Sequence, residues 1–293
     1  MKKLSIYLSL ASVMFACGPP QRDVDKQQFG SYWYQGKAEI NAFDLTQYRY
    51  GEAREGEAVL IFVTEEFSRK KHVKLDDYES AGRDAVNVLK MNMTKEFVTG
   101  IYPYHMMLSV FSPVYAETSA MKITASSQDW CGQSFSQMNL NGDAYKGKLY
   151  SYFEEEGDVD FTAKALAEDH LWNLIRIGPE HLPLGEVDLV PGLLEQRFSH
   201  EPIVPQKALL RVKRIDSTYD ELEVDYVDYN RMVKIWYERE FPYQITAFEE
   251  ISLLEDGTQE VSHAERKAVR QIDYWTKNRL GDSRLRRELR LNP

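Results

Sequence analysis

Leu222-Glu223-Val224-Asp225-Tyr226 alternates apolar and acidic residues at every step, and Val233, Ile235 and Tyr237 resume the period after Asp228-Tyr229-Asn230-Arg231. A period of two sends successive side chains to opposite faces of a sheet, so the stretch predicts two antiparallel strands joined by a turn. Phe241-Pro242 interrupts the pattern, and Ile245 and Ala247 carry a further strand. Consecutive strands of this kind form a meander. The fold class is therefore read as mainly β and antiparallel.

The same signals recur upstream. Ala58-Val59-Leu60-Ile61-Phe62-Val63 is a short apolar run between Gly56-Glu57 and Thr64-Glu65-Glu66, which suits a strand buried on both faces. Met121, Ile123 and Ala125 alternate with polar neighbours, as do Leu149, Ser151 and Phe153. Asn141-Gly142-Asp143 between two such stretches is a hairpin signal. Helical spacing is read in two places. One is 162–177, stopped by Gly178-Pro179. The other is 262–280, through Ala264, Ala268, Ile272 and Trp275, with Ser262 as N-cap and Gly281 as the stop. Residues 178–205 are rich in Pro and Gly, yet Leu182, Leu184, Val187, Leu189 and Val190 are too apolar for a solvated linker. They read as an ordered crossing within one sheet rather than a boundary between lobes 29–158 and 186–293. The expected architecture is a large curved antiparallel sheet, half-barrel-like as in periplasmic lipoprotein carriers, with two peripheral helices.

The amino terminus points to a compartment. Lys2 and Lys3 precede an uncharged apolar run from Leu4 to Phe15, with Ala16 directly before Cys17. That is the pattern of a secretory signal over 1–16, too short for a permanent span. Met14-Phe15-Ala16-Cys17 resembles a bacterial lipobox, which makes Cys17 the expected site of lipid attachment. Residues 17–28 have no apolar period and read as a flexible tether, leaving one β-rich domain over 29–293. The partners implied are a membrane, through lipidated Cys17, and an amphiphilic ligand or envelope protein. The expected location is the periplasmic side of a bacterial cell envelope.

With 43% hydrophobic and 28% charged residues, the 293-residue chain has the composition of a globular protein. Lys and Arg total 36 against 46 Asp and Glu, a net charge of −10 that disfavours nucleic acid as a partner. If Cys17 is acylated, the second of the two cysteines, Cys131, has no internal disulfide partner.

Candidate chemistry is sparse. Trp130-Cys131-Gly132-Gln133-Ser134 resembles the start of a thioredoxin motif with serine at the second cysteine, but Phe135 to Leu140 alternates as a strand. A free cysteine packed beside a tryptophan is the favoured reading. A Cys–His nucleophile pair would need one of His72, His105, His170, His181, His200 or His263, and His105 is the best placed. No metal-ligand spacing and no glycine-rich phosphate loop occurs, so neither metal nor cofactor is expected. The run Glu154-Glu155-Glu156-Gly157-Asp158 reads as a solvated turn and Arg284 to Arg290 as an ion-pairing helix end. The remaining feature is an aromatic load of 18 Tyr, 13 Phe and 5 Trp. On a curved sheet, Trp33, Tyr104, Trp130, Tyr152 and Trp236 are candidates to line a groove, although cross-strand cohesion is the favoured reading.

Tyr32 to Ile40, Tyr50 to Val59, Gly100-Ile101-Tyr102-Pro103-Tyr104, Ser127 to Gly132 and Ser151-Tyr152-Phe153-Glu154 resemble a group of bacterial envelope lipoproteins with no established activity. Some members carry the name septum formation inhibitor, borrowed from cytoplasmic nucleotide pyrophosphatases. Residues 1–40 lack the Ser-x-Ser-Pro-Arg-Arg motif of those enzymes. The reading favoured here is a non-enzymatic binding or scaffold protein of the cell envelope. The alternative is a hydrolase or thiol enzyme using Cys131 with a histidine.

Overall fold

Alternating sequence becomes long strands wherever both neighbours can supply a hydrogen-bonded ladder, and here nearly every strand has two. The structure, a computed structural model, describes residues 21–292 apart from Glu117 and Glu255. Helix α1 (Lys26–Trp33) leads into strands β1 (Ala38–Arg49) and β2 (Glu52–Ser68). A one-turn helix α2 (Tyr78–Ala81) precedes β3 (Ala85–Thr99), β4 (Tyr102–Pro113) and β5 (Lys122–Gln128). Then come β6 (Gln133–Asn141), β7 (Ala144–Ser151), β8 (Val159–Ala163) and the short β9 (Leu166–Ala167). Helix α3 (Glu168–Ile177), β10 (Gly185–Val190) and α4 (Leu193–Ser199) follow. The meander β11 (Gln206–Arg214), β12 (Tyr219–Tyr226), β13 (Arg231–Glu238), β14 (Ile245–Leu253) and β15 (Gln259–Ile272) leads to helix α5 (Arg284–Glu288).

All fifteen strands belong to one open sheet, ordered β8-β7-β6-β5-β4-β3-β2-β1-β15-β14-β13-β12-β11-β10-β9. Among the described residues, only the β9–β10 pair is parallel. The two edge strands, β8 and β9, are consecutive in the chain. Ala163 and Leu166 are three residues apart, and three residues reach at most about 11 Å. The sheet therefore curls until its edges almost meet, and Lys164-Ala165 bridges the seam where a closed barrel would have a ladder.

The sheet answers to the expected pattern in detail. Val224 faces Val233 across β12 and β13, and Ile235 faces Phe248 across β13 and β14. Asn141 pairs with Ala144 about a two-residue turn in which Gly142 takes φ +66°, the left-handed conformation that glycine adopts without strain.

Three expectations need correction. The helix expected over 262–280 is strand β15 as far as Ile272. Ala264, Ala268 and Ile272 are four apart, which fits a helical turn but is also a multiple of two. Pairing with both β1 and β14 decides for the strand. The helix expected over 162–177 begins only at Glu168, because residues before it complete β8 and β9. The tether expected over 17–28 has ended by Arg22, which is buried. Asp25 then caps α1 by accepting from the amides of Gln27 and Gln28 at 2.9 and 3.0 Å, and Phe29 and Trp33 anchor the helix. Cys17 and the signal segment lie outside the described residues.

Helix α3 is the plug of this fold rather than a peripheral element. All ten of its residues are buried. Trp172 packs edge-on against Phe248 of β14, with ring centroids 5.1 Å apart. Asn173 donates from Nδ2 to the carbonyls of Leu89 and Val110, at 3.0 and 3.3 Å. A curved sheet with an open interior would have left room for an acyl chain along its concave face, but here the helix occupies it.

Candidate functional site

A fully enclosed helix has no solvated face, so each of its charged residues needs a partner in the sheet. Arg176 forms a two-pronged pair with Glu39 of β1, Nη1 to Oε1 at 2.5 Å and Nη2 to Oε2 at 2.8 Å. Its Nε donates to the Pro242 carbonyl at 2.9 Å, and its guanidinium lies over the rings of Trp33 and Phe62. Glu168, at the other end of α3, accepts from Nη1 and Nη2 of Arg231 and from the Tyr226 hydroxyl, the last at 2.7 Å. Asp169 accepts from the backbone N–H of Leu193 at 3.0 Å and so caps α4 from a distance. Gly192 stands before that cap because a Cβ there would meet Glu168 Oε1 at 2.8 Å.

His170 faces away from these ion pairs. Its Nδ1 is 2.8 Å from Ser112 Oγ, and its Nε2 is 3.4 Å from Arg22. Burial, reinforced by the Arg22 charge, drives its pKa well below the ordinary histidine value, so the ring is neutral. Arg22 also donates to the carbonyls of Pro113 and Thr118, which ties the amino-terminal segment to the end of β4.

Beside His170 the seam opens into a cavity of about 560 Å³. Leu140, Ala165, Leu166 and Leu174 supply an apolar wall, and Arg22, His170 and His181 supply polar atoms. His181 Nε2 is enclosed and makes no hydrogen bond, although Glu180 Oε1 lies 3.6 Å away. Lys164 pairs with Asp143 at the rim, where both side chains are largely exposed. An exposed pair of that kind adds little to stability and opens easily. The volume lies in the range of small-molecule sites, and an apolar wall with a few polar groups is the usual make-up of such sites.

The residues singled out from sequence are placed elsewhere. Cys131 is exposed in the turn between β5 and β6, not at a helix N-terminus, and Trp130 beside it is 70% exposed. The packed Trp–Cys pair that sequence favoured is thus absent. Cys131 donates its amide N–H to Asp129 at 2.7 Å. Asp129 in turn pairs with Arg197 of α4 at 2.8 Å. His105 is exposed on β4 and lies 3.7 Å from Glu96, on the neighbouring strand. No hydrogen bond joins it to Cys131 among the described residues.

Trp33 and Tyr104 are core residues, the first under Arg176 and the second stacked on Phe97 at 4.9 Å. Trp236 is half-buried, on the face of β13 opposite to Ile235 and Tyr237. Tyr152 is exposed. None of these five aromatics lines the seam cavity. What sequence reasoning missed is the complete burial of α3, which takes Glu168, Asp169, His170 and Arg176 out of solvent. Asp169, Asn173 and Arg176 share one side of the helix, as polar residues do in a surface helix, so the sequence carried no local signal of full burial.

Among the described residues no helix is long and apolar enough to cross a membrane, and no group of three His, Cys, Asp or Glu could hold a metal ion. No protein-family model matches the chain, and no curated protein matches its sequence. Among solved structures, the chain is similar to a β-barrel-like protein of the domain of unknown function DUF1849 from Brucella abortus. That likeness has 9% identity and a TM-score of 0.49, and it covers 80% of this chain and 97% of the other.

Proposed function

We propose that this protein is a lipid-anchored component of a bacterial cell envelope that binds an amphiphile, without catalysis, in the seam cavity. The observation that carries the reading is the cavity itself: about 560 Å³, apolar along Leu140, Ala165, Leu166 and Leu174, and polar at Arg22, His170 and His181. Its position supports the same reading. Arg22 lines the cavity, and Cys17 is five residues away in sequence, a reach of at most about 18 Å. Acyl chains on Cys17 would hold the cavity mouth close to a bilayer, where an amphiphile is available. The acidic net charge suits tethering by lipid rather than adhesion to an anionic surface.

Delipidated protein is expected to raise the emission of cis-parinaric acid, and palmitate is expected to compete. Ala165→Trp, which fills the cavity, is expected to weaken that binding at least about tenfold, while circular dichroism stays unchanged. Cys131→Ser should leave binding as it is, and a loss there would instead favour a thiol-dependent activity. Cys17→Ser should move the protein from the membrane to the soluble fraction. Absence of probe binding, with no amphiphile in the mass spectrum of the purified protein, would end the proposal.

A further inference from the structure

A second cavity, of about 210 Å³, lies at the opposite end of the strands, where the β1–β2 turn meets α4. Gln47, Arg49, Glu195, Glu250, Glu260 and Ser262 contribute to its wall. Three of the six are carboxylates, and the charge around them does not balance. Arg231 lies 3.5 Å from Glu195, 4.0 Å from Glu250 and in direct contact with Glu168. Lys95 pairs with Glu250 at 2.6 Å. Two cations thus face Glu168, Glu195 and Glu250, with Asp169 adjoining the same cluster. With Arg49 and Glu260, which also line the cavity, five carboxyls face three cations, an excess of two that protons on Asp169 and Glu195 balance below about pH 7.

An independent observation points into the cavity. Gln47 is 3% exposed, and its Oε1 is enclosed without a hydrogen-bond partner. Nε2 donates to Ser262 Oγ at 2.8 Å and to the Tyr48 carbonyl at 3.3 Å, and the carbonyl, which can only accept, sets the amide orientation. A buried amide oxygen left unpaired costs about 1–3 kcal/mol, and a donor brought by a ligand removes that cost. Arg49 offers the complement. Its guanidinium lies over the rings of Tyr50 and Phe198, 4.5 and 4.8 Å from their centroids, and its Nε is enclosed without an acceptor.

From the unpaired Gln47 oxygen, the carboxylates beside it and the unpaired Arg49 Nε, we infer that this cavity binds a small molecule carrying a primary ammonium and an oxygen acceptor, of the amino-alcohol or amino-acid class. The ammonium donates to Glu195 and Gln47, and the oxygen accepts from Arg49. The volume corresponds to about seven waters at roughly 30 Å³ each, which suits a ligand of this size. Burial pushes the Glu195 carboxyl up to about 7, Arg231 opposing and Glu250 and Glu168 reinforcing the shift. A bound ammonium supplies the positive charge that a proton otherwise brings.

The inference does not depend on the amphiphile reading, since the two cavities share no residue. The test is titration of the full-length protein with ethanolamine and with L-alanine, followed by NMR or calorimetry, with propionate and propanol as controls. Saturable binding of the two amines is expected, and the controls should not bind. Glu195→Gln keeps the shape and removes the charge, and should weaken binding at least about tenfold. Gln47→Met removes the acceptor at similar volume and should also weaken it. Failure of both amines to bind at tens of millimolar would overturn the inference. So would equal binding of propionate, or affinities unchanged in both folded variants.

Discussion

Arg176→Ala is expected to lower the free energy of unfolding by about 3–5 kcal/mol, the range for stripping one partner from a buried ion pair. Arg176 and Glu39 are both wholly inaccessible to solvent. Burial by itself would raise the Glu39 pKa, but the Arg176 charge and hydrogen bonds from Arg176, Asn41 and Tyr32 outweigh it and hold the carboxyl at about 2. Without the guanidinium that balance reverses. Glu39 would have to take up a proton or remain as an unpaired charge, and the Pro242 carbonyl would lose its donor. The aromatic pocket formed by Trp33 and Phe62 would lose its filling as well. Urea unfolding of Arg176→Ala measures the loss, and a change below about 1 kcal/mol would contradict the account. Arg176→Met combined with Glu39→Gln should recover part of the stability, because no charge is then stranded. The pair also sets an acid limit. A carboxyl depressed from about 4.5 to about 2 contributes fully above the higher value and loses its contribution as pH falls through the lower one.

Between pH 4 and pH 7 the opposite sign is expected from Asp169 and Glu195. Burial pushes the Asp169 carboxyl up to about 7, Glu168 adding to it, while the Leu193 amide and Arg231 pull the other way. Glu195 is raised to about 7 in the same manner. Each group holds its proton in the folded state at a pH where the unfolded chain has released it. The stabilisation is therefore complete below about 4 and declines as pH rises toward 7, by about 1.4 kcal/mol per group for each unit. Melting temperatures measured at fixed ionic strength across this interval should fall steadily. His170, kept neutral by burial, acts with the opposite sign below about pH 6.5 and offsets one of the two carboxyls, so Asp169→Asn, which retains an oxygen to cap α4, should largely abolish the fall there. A flat wild-type profile, or an unchanged slope in Asp169→Asn, would rule out this assignment.

Much of the sheet was readable one strand at a time. Leu222 to Tyr226 and Val233 to Tyr237 show their period directly, and Asn141-Gly142-Asp143 marks its own turn, because alternation and left-handed glycine are properties of neighbouring residues. Ala264, Ala268 and Ile272 were misread for a reason just as local: a spacing of four satisfies both periods, and only the ladders to β1 and β14 choose between them. The plug and its charges had no comparable signature. Glu39 is 137 residues from Arg176, and Glu168 is 63 from Arg231, so no window of sequence contains either pair.

The sequence by itself determined that the chain forms antiparallel strands and that its aromatic load serves largely to pack them. The three-dimensional arrangement alone decided that the sheet curls until β8 and β9 nearly meet, that α3 fills the space enclosed, and that cavities remain at its two ends. The reason is that strand formation depends on side chains within a few residues of one another. Closure, buried ion pairing and cavity shape depend on groups that become neighbours only after the whole sheet has curved.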